Sequence, residues 1–168
     1  MRWSFTAGSY VRSSPAVSAD GGTVFVGSED HNLYAIRTTD GALQWKFATG
    51  DWVKSSPALS PDGRTVYVGS YDHNLYAVDT ATGAQRWSFT TEGAVVSSPA
   101  VSADGGMVFV GSEGNVGFYA VNTTTGSSEP WTFATGDIGW VDSNPALSPD
   151  GRTVYFGSYT NNLYAVVV

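Results

Sequence analysis

The sequence predicts an all-β protein of the β-propeller class, built from four copies of one unit. Three observations lead to this prediction. A Ser-x-Pro-Ala tetrad begins at Ser13, Ser55, Ser97 and Ser143, and its prolines are 42, 42 and 46 residues apart. Short apolar runs alternate with glycine-containing turns throughout each unit. A period in the low forties with four strands per unit is typical of a propeller blade.

The first strand of each unit is predicted to be the inner edge strand that lines the central channel. In unit one it is the run SSPAVS, residues 13–18. Proline has no N–H to donate to a sheet and is therefore confined to edge positions. An Asp-Gly turn follows in every unit, beginning with Ala19-Asp-Gly-Gly22, and such turns suit tight hairpins.

The remaining strands follow in order along each unit. In unit one the second strand is TVFVGS from Thr23, the third is LYAIRT from Leu33, and the fourth carries Trp45. Their β-branched and aromatic content is typical of buried strands. We expect one domain over 1–168, with units at about 13–54, 55–96, 97–142, and 143–168 plus 1–12, and no helix.

The two ends of the chain predict a closing strand. Arg2–Thr6 has the same sequence as Arg86–Thr90, so the chain begins with the last strand of a unit. Unit four ends at Val168, after its third strand. We therefore expect Trp3–Thr6 to complete the last blade, since a paired edge strand no longer invites aggregation.

Composition restricts the classes of partner. The net charge of −7 argues against a nucleic-acid backbone or an anionic membrane as partner. The chain has no cysteine, so disulfides and cysteine-ligated metals are excluded. We also expect no signal peptide at Met1 and no membrane span, because the sequence contains no apolar run of the required length.

The repeat resembles a known family. The segment YAVDTATGAQRW, residues 76–87, is similar to the repeat of the pyrroloquinoline quinone (PQQ) propellers. The resemblance implies that one tryptophan per unit docks neighbouring blades: Trp3, Trp45, Trp87 and Trp131. Most members have eight blades, which implies a homodimer that completes an eight-bladed ring; the alternative is a four-bladed monomer. Arg37 of unit one occupies the position that Asp79 has in unit two, so we expect the docking contact at unit one to differ from that at unit two.

Function is less constrained than fold, because one fold can carry many functions. The family includes both quinoprotein dehydrogenases and non-enzymatic scaffolds such as outer-membrane assembly lipoproteins. The dehydrogenases place an adjacent cysteine pair against the cofactor, and this chain has no cysteine. His31 and His73 fall in separate units and are expected to be polar turn residues rather than metal ligands.

We therefore expect a non-enzymatic binding or scaffolding module, or a self-assembling propeller of designed or fragmentary origin, without a cofactor. The alternative is a PQQ-dependent dehydrogenase domain. The candidate surface is the mouth of the channel, where a protein or small-molecule ligand would bind, since loops on a rigid frame commonly carry binding sites. Its residues are Tyr10, Arg12, Trp52, Lys54 and Trp140.

Overall fold

The computed structural model describes residues 2–114, 117–128 and 140–168. These residues form fourteen strands in four antiparallel sheets, which we call blades one to four. The part of the chain so described contains no helix that is long and apolar enough to cross a membrane. Blade one comprises β1 (Ala16–Val17), β2 (Thr23–Ser28), β3 (Asn32–Arg37) and β4 (Leu43–Ala48). Blade two comprises β5 (Ala58–Leu59), β6 (Thr65–Gly69), β7 (Asn74–Asp79) and β8 (Gln85–Thr90).

Blades three and four have three strands each among the described residues. Blade three comprises β9 (Ala100–Val101), β10 (Met107–Gly111) and β11 (Phe118–Asn122). Blade four comprises β12 (Ala146–Leu147), β13 (Thr153–Gly157) and β14 (Leu163–Val167). In each blade the strands pair with their neighbours along the chain, so each sheet is a simple meander. The predicted all-β class is therefore confirmed.

The inner strands are shorter than predicted. Residues 13–18 were expected to form one strand, but β1 covers only Ala16–Val17. The reason is the bonding of the residues before it: Pro15 has no N–H, and the hydroxyl of Ser13 accepts a hydrogen bond from the Gly27 amide at 3.1 Å. The same serine bond recurs in the other three blades. A side chain thus replaces the backbone partner that a longer strand would provide.

The hydrophobic core lies between neighbouring blades. The second and third strands of one blade place apolar side chains against those of the next, and a valine from the connecting loop closes each cluster. Between blades one and two the cluster contains Phe25, Leu33, Ala35, Val53, Val66, Val68 and Val78. Similar clusters join blades two and three and blades three and four. Because burial occurs between the sheets, the loops at the strand ends are held on a rigid frame.

The N-terminal segment does not complete blade four within one chain. Residues 2–7 form no strand, and β14 pairs only with β13 among the described residues. Trp3, Phe5 and Ala7 instead pack on Tyr34 and other side chains of blade one. The Phe5 ring lies 5.0 Å from the Tyr34 ring, as Phe47 of β4 lies 5.2 Å from Tyr76 of blade two. The segment therefore occupies the place of the outer strand of a blade preceding blade one, and the described residues do not confirm the predicted closure of blade four.

Candidate functional site

The candidate site is a rim formed at one end of the strands by two sets of loops. One set leads into the inner strands, and the other joins the second and third strands of each blade. Backbone hydrogen bonds fix the two sets together: the Tyr71 amide donates to the Trp52 carbonyl at 2.9 Å, and the Tyr159 amide donates to the Trp140 carbonyl at 3.0 Å. The Glu29 amide makes the same bond to Tyr10. Each rim aromatic is thus held beside the turn of its own blade.

Four aromatic side chains form two pairs on this rim. The rings of Trp52 and Tyr71 lie 5.5 Å apart, edge to face, and those of Trp140 and Tyr159 lie 5.8 Å apart in the same arrangement. Trp140 is 50% exposed and Tyr159 is 66% exposed. Aromatic side chains exposed on a rigid surface are frequent anchors of protein interfaces. Tyr71 and Tyr159 were not predicted as site residues, although both follow a Gly-Ser pair that the repeats share.

The cationic part of the rim is organised around a carboxylate. Glu29 has a side chain only 9% exposed, and its Oε1 lies 3.2 Å from Arg12 Nε and 3.7 Å from Lys54 Nζ. Lys54 Nζ also lies 4.5 Å from the ring centroids of both Trp52 and Tyr71, within the range of a cation–π contact. The structure therefore brings Arg12, Lys54 and Trp52 together through Glu29, which the sequence interpretation did not include.

The part of the rim on blades three and four is acidic. Burial raises the pKa of Glu113, and the charge of nearby Asp142 raises it further. A hydrogen bond to Asp142 raises the pKa of Tyr159. Asp142 Oδ1 is buried and has no hydrogen-bond partner among the described residues. Trp140 therefore stands beside a negatively charged region, whereas Tyr10 and Trp52 stand beside Arg12 and Lys54.

Two aspartates support the rim from below, and sequence reasoning did not identify them. Asp30 Oδ2 accepts hydrogen bonds from the Gly8 amide and the Tyr34 hydroxyl, both at 2.6 Å. Burial opposes ionisation of Asp30, but bonds from Tyr34, Asn32 and Gly8 outweigh it, so its pKa is lowered. Burial and this bond to Asp30 raise the pKa of Tyr34 to about 12. Asp72 makes the equivalent bonds to Gly50 and Tyr76.

The histidines occupy the turns between second and third strands. His31 has φ 70° and His73 has φ 71°, a left-handed conformation that is uncommon for residues other than glycine. His31 Nε2 lies 3.7 Å from Asp51 Oδ1, and both side chains are about half exposed. Residues 2–114, 117–128 and 140–168 contain no group of three or more acidic, histidine or cysteine side chains placed to hold a metal ion.

Three of the four repeated tryptophans, Trp3, Trp45 and Trp87, each donate a hydrogen bond to the blade that follows them along the chain. Trp45 Nε1 donates to the Thr80 carbonyl of blade two at 2.9 Å, and the indole lies over Gly83, where an added Cβ would be 2.8 Å from Trp45 Cδ2. Trp3 makes the same bond to Thr38 in blade one, and Trp87 makes it to Thr123 in blade three. Trp131 lies outside the described residues.

Grooves between blades open at the other end of the strands. One groove has a volume of about 620 Å³ and lies between blades two and three, with Asp62, Tyr67 and Arg86 among its lining residues. The equivalent groove between blades one and two has about 370 Å³, and Phe25 and Gln44 take the places of Tyr67 and Arg86. Because these grooves recur from joint to joint, we attribute them to the spacing of the blades rather than to a specific ligand site.

Comparisons with known proteins concern the family and the fold. A family model described as outer membrane protein assembly factor BamB matches residues 1–62 and 58–168. The crystal structure of BamB from Moraxella catarrhalis is similar, with a TM-score of 0.79 and 21% sequence identity. The match covers 99% of this chain and 49% of that chain, so this chain spans about half the length of the BamB structure. No curated protein sequence matches. Since the family model matches along the whole sequence, this chain belongs to the BamB-type family of PQQ-like repeat proteins.

Proposed function

We propose that this chain is a non-enzymatic binding module that holds an extended segment of a partner protein on its rim. The observation that carries the proposal is the rigid row of exposed aromatic side chains at Tyr10, Trp52 and Trp140. Aromatic rings give a large contact area while losing little conformational entropy on binding. The backbone bonds that fix these loops reduce that loss further.

The charges of the rim define the chemistry of the partner. Arg12 and Lys54 are the cationic side chains of the rim on blades one and two, where the carboxylates of Glu29 and Asp51 also lie. Glu113 and Asp142 make the region near Trp140 negative. A complementary segment has apolar side chains that contact the rim aromatics and a basic residue at the end that faces Glu113 and Asp142. Such complementarity sets the orientation of a bound partner more than its affinity.

The family description supports a binding role. The matching family model is described as an assembly factor, and proteins of that kind act through contacts with other proteins. This chain covers about half of the BamB chain to which it was compared, so the partners of BamB are not assigned to it. The proposal for this chain rests on its own rim residues.

A peptide library displayed on phage tests the binding role. Peptides are selected on the wild-type protein, synthesised, and measured against a Trp52→Ala/Trp140→Ala double variant. We expect at least a tenfold loss of affinity, since an interface anchor contributes upward of about 1.4 kcal/mol. Leu43→Ala is the matched control, because Leu43 is 47% exposed in β4, outside the rim loops. Failure to select any peptide, or equal binding by the rim variant, would refute the proposal.

A second experiment separates this function from quinone-dependent catalysis. The protein is melted with and without saturating PQQ and Ca²⁺. We expect an unchanged Tm, because a ligand that binds the folded state raises Tm and one that does not bind leaves it unchanged. A rise of several degrees, together with alcohol oxidation coupled to an artificial electron acceptor, would replace the binding role by the dehydrogenase alternative.

A further inference from the structure

We propose that the two end surfaces of this chain are the two halves of one blade-to-blade joint, and that a second copy of the chain fills them. Two copies then close one ring of eight blades. The same blade-to-blade joint occurs three times within the chain. In each case a valine of the connecting loop packs on a glycine of the preceding blade: Val53 on Gly27, Val95 on Gly69, and Val141 on Gly111.

These three joints are tightly packed. All three valines are completely buried. A Cβ added at Gly27 would overlap the Val53 side chain and lie 2.7 Å from its carbonyl oxygen. The Val53 amide also donates to the Ser28 carbonyl at 3.1 Å, and the other two joints have the same bond. Glycine is therefore required in the blade, because the loop of the next blade occupies the space of a side chain.

Each end of the chain carries one unmatched half of this joint. Val11 is in the position of Val53 in the repeat, but it is 50% exposed. Gly157 is in the position of Gly27, but the nearest atom to an added Cβ is Ser143 Oγ at 3.7 Å. Near its N-terminus the chain thus has a valine, Val11, without a glycine to pack on. Near its C-terminus it has a glycine, Gly157, without a valine packed on it.

The face of blade four that no following blade covers within the chain also exposes apolar side chains. Leu163 is 77% exposed and Tyr155 is 40% exposed. Their counterparts in blade one, Leu33 and Phe25, are 0% and 1% exposed because blade two covers them. An exposed apolar sheet face whose counterparts are all buried indicates a missing neighbour.

The two ends of the chain also match each other along the channel, at the inner strands, and at the outer edge of the blades. Along the channel, the Ser14 amide donates to Ser56 Oγ at 2.9 Å, and the Ser98 amide donates to Asn144 Oδ1 at 2.7 Å. Continuing this series, the Asn144 amide would reach Ser14 Oγ of the second copy. On the outside, residues 2–7 already lie where the outer strand of a preceding blade belongs. In the ring they pair with the open edge of β14.

The second copy would also complete the rim. Within the chain, Lys54 contacts Glu29 of the preceding blade and Tyr71 of its own blade. By the same spacing, Arg12 of the second copy would approach Tyr159, beside Asp142. This places a guanidinium near the buried Oδ1 of Asp142 that has no hydrogen-bond partner among the described residues. The cationic and acidic regions of the two copies thus meet at the joint.

The number of copies follows from closure. Each chain supplies one valine half and one glycine half, so copies join head to tail and the ring closes when the angles sum to a full circle. Two copies of four blades require about 45° per blade. This chain matches 49% of the BamB chain, with a TM-score of 0.79, so two copies correspond to about the full length of that solved structure.

Light scattering behind a sizing column tests the proposal directly. We expect the wild-type chain to have twice its 17.7 kDa mass. Gly157→Ala and, separately, Val11→Asp should reduce the mass to 17.7 kDa while the far-ultraviolet circular dichroism spectrum stays unchanged. An added Cβ at Gly157 would lie 3.7 Å from its nearest neighbour, and Val11 is 50% exposed, so we expect each substitution to act on the joint rather than on the fold of the chain.

Gly27→Ala is the matched comparison, since the same change then falls on a joint inside the chain. We expect it to lower Tm at any protein concentration. The wild-type Tm should instead rise with protein concentration, because a folded dimer is favoured by mass action, and Gly157→Ala should abolish that dependence.

Three outcomes would overturn the proposal. The first is a wild-type mass of 17.7 kDa at about 100 µM protein. The second is a dimer that persists in both variants, and the third is a mass that keeps growing with concentration, as in an open filament. The proposal goes beyond the binding role and its test involves no ligand. Its failure is therefore distinguishable from the failure of rim binding.

Discussion

Replacing Trp87 by alanine is the most direct test of how the blades are held together. The Trp87 indole donates to the Thr123 carbonyl at 2.8 Å, lies 2.9 Å from the position of an added Cβ at Gly126, and tilts against the Tyr67 ring at 5.7 Å. A buried Trp→Ala change costs about 3–5 kcal/mol. Trp87 is only partly buried, so we expect the lower end of this range, about 3 kcal/mol in the free energy of unfolding.

A second substitution divides this loss between packing and hydrogen bonding. Trp87→Phe retains an aromatic ring near Tyr67 but removes the indole donor and leaves the Thr123 carbonyl without it. A lost hydrogen bond of this kind costs about 0.5–1.5 kcal/mol, and the smaller ring adds a cavity term. We therefore expect Trp87→Phe to lose about 1–2 kcal/mol, clearly less than Trp87→Ala.

The assay is equilibrium unfolding in urea, followed by tryptophan fluorescence and circular dichroism at one fixed protein concentration. Trp52→Ala is the control, because it removes the same residue type from the exposed rim, where substitutions usually change stability by less than about 1 kcal/mol. A loss near zero for Trp87→Ala, or equal losses for Trp87→Ala and Trp52→Ala, would refute the assignment of Trp87 to blade docking.

The remaining predictions concern glycine turns and acid stability. Gly83 and Gly63 both have positive φ, but an added Cβ meets Trp45 at 2.8 Å at Gly83 and nothing within 4 Å at Gly63; melting curves should therefore show that Gly83→Ala costs about 1–3 kcal/mol more than Gly63→Ala, and equal costs would exclude the steric contact. Because the pKa of Asp30 is lowered in the folded state, its contribution is present above the ordinary value and disappears as pH falls through the lowered value. Asp30→Asn should thus cost about 1–2 kcal/mol at pH 7 and progressively less below about pH 4; a constant difference in Tm from pH 7 to pH 3 would contradict this.

Much of the fold could be predicted from the repeat, and the differences have local causes. The second strand from Thr23 was placed correctly because a run of β-branched and aromatic residues follows the Asp-Gly turn and ends at the polar connection that begins with Glu29. The first strand was too long, since the sequence does not show that the Ser13 hydroxyl replaces a backbone partner. Matching sequence identifies Trp3–Thr6 as an outer-strand segment, but it does not show which blade the segment contacts, and Trp3 and Phe5 pack on blade one.

The site was predictable where exposure follows from loop position. Trp52, Lys54 and Trp140 do lie on the rim, since outer-to-inner connections reach that end of every sheet. Glu29 and Asp30 were missed because their importance comes from contacts with residues of another loop. A signal for the valine–glycine joint was available in the sequence: a valine two residues before each Ser-x-Pro-Ala tetrad, and a glycine in each second strand.

The residues that follow each Gly-Ser pair on the rim alternate in type. They are Glu29, Tyr71, Glu113 and Tyr159. Acidic and phenolic side chains therefore have a period of two blades, and only an even number of blades preserves the alternation around a complete circle. Loss or gain of a single blade would set two glutamates or two tyrosines side by side at one seam. In the proposed ring of two copies, which has eight blades, the alternation continues without interruption across both joints.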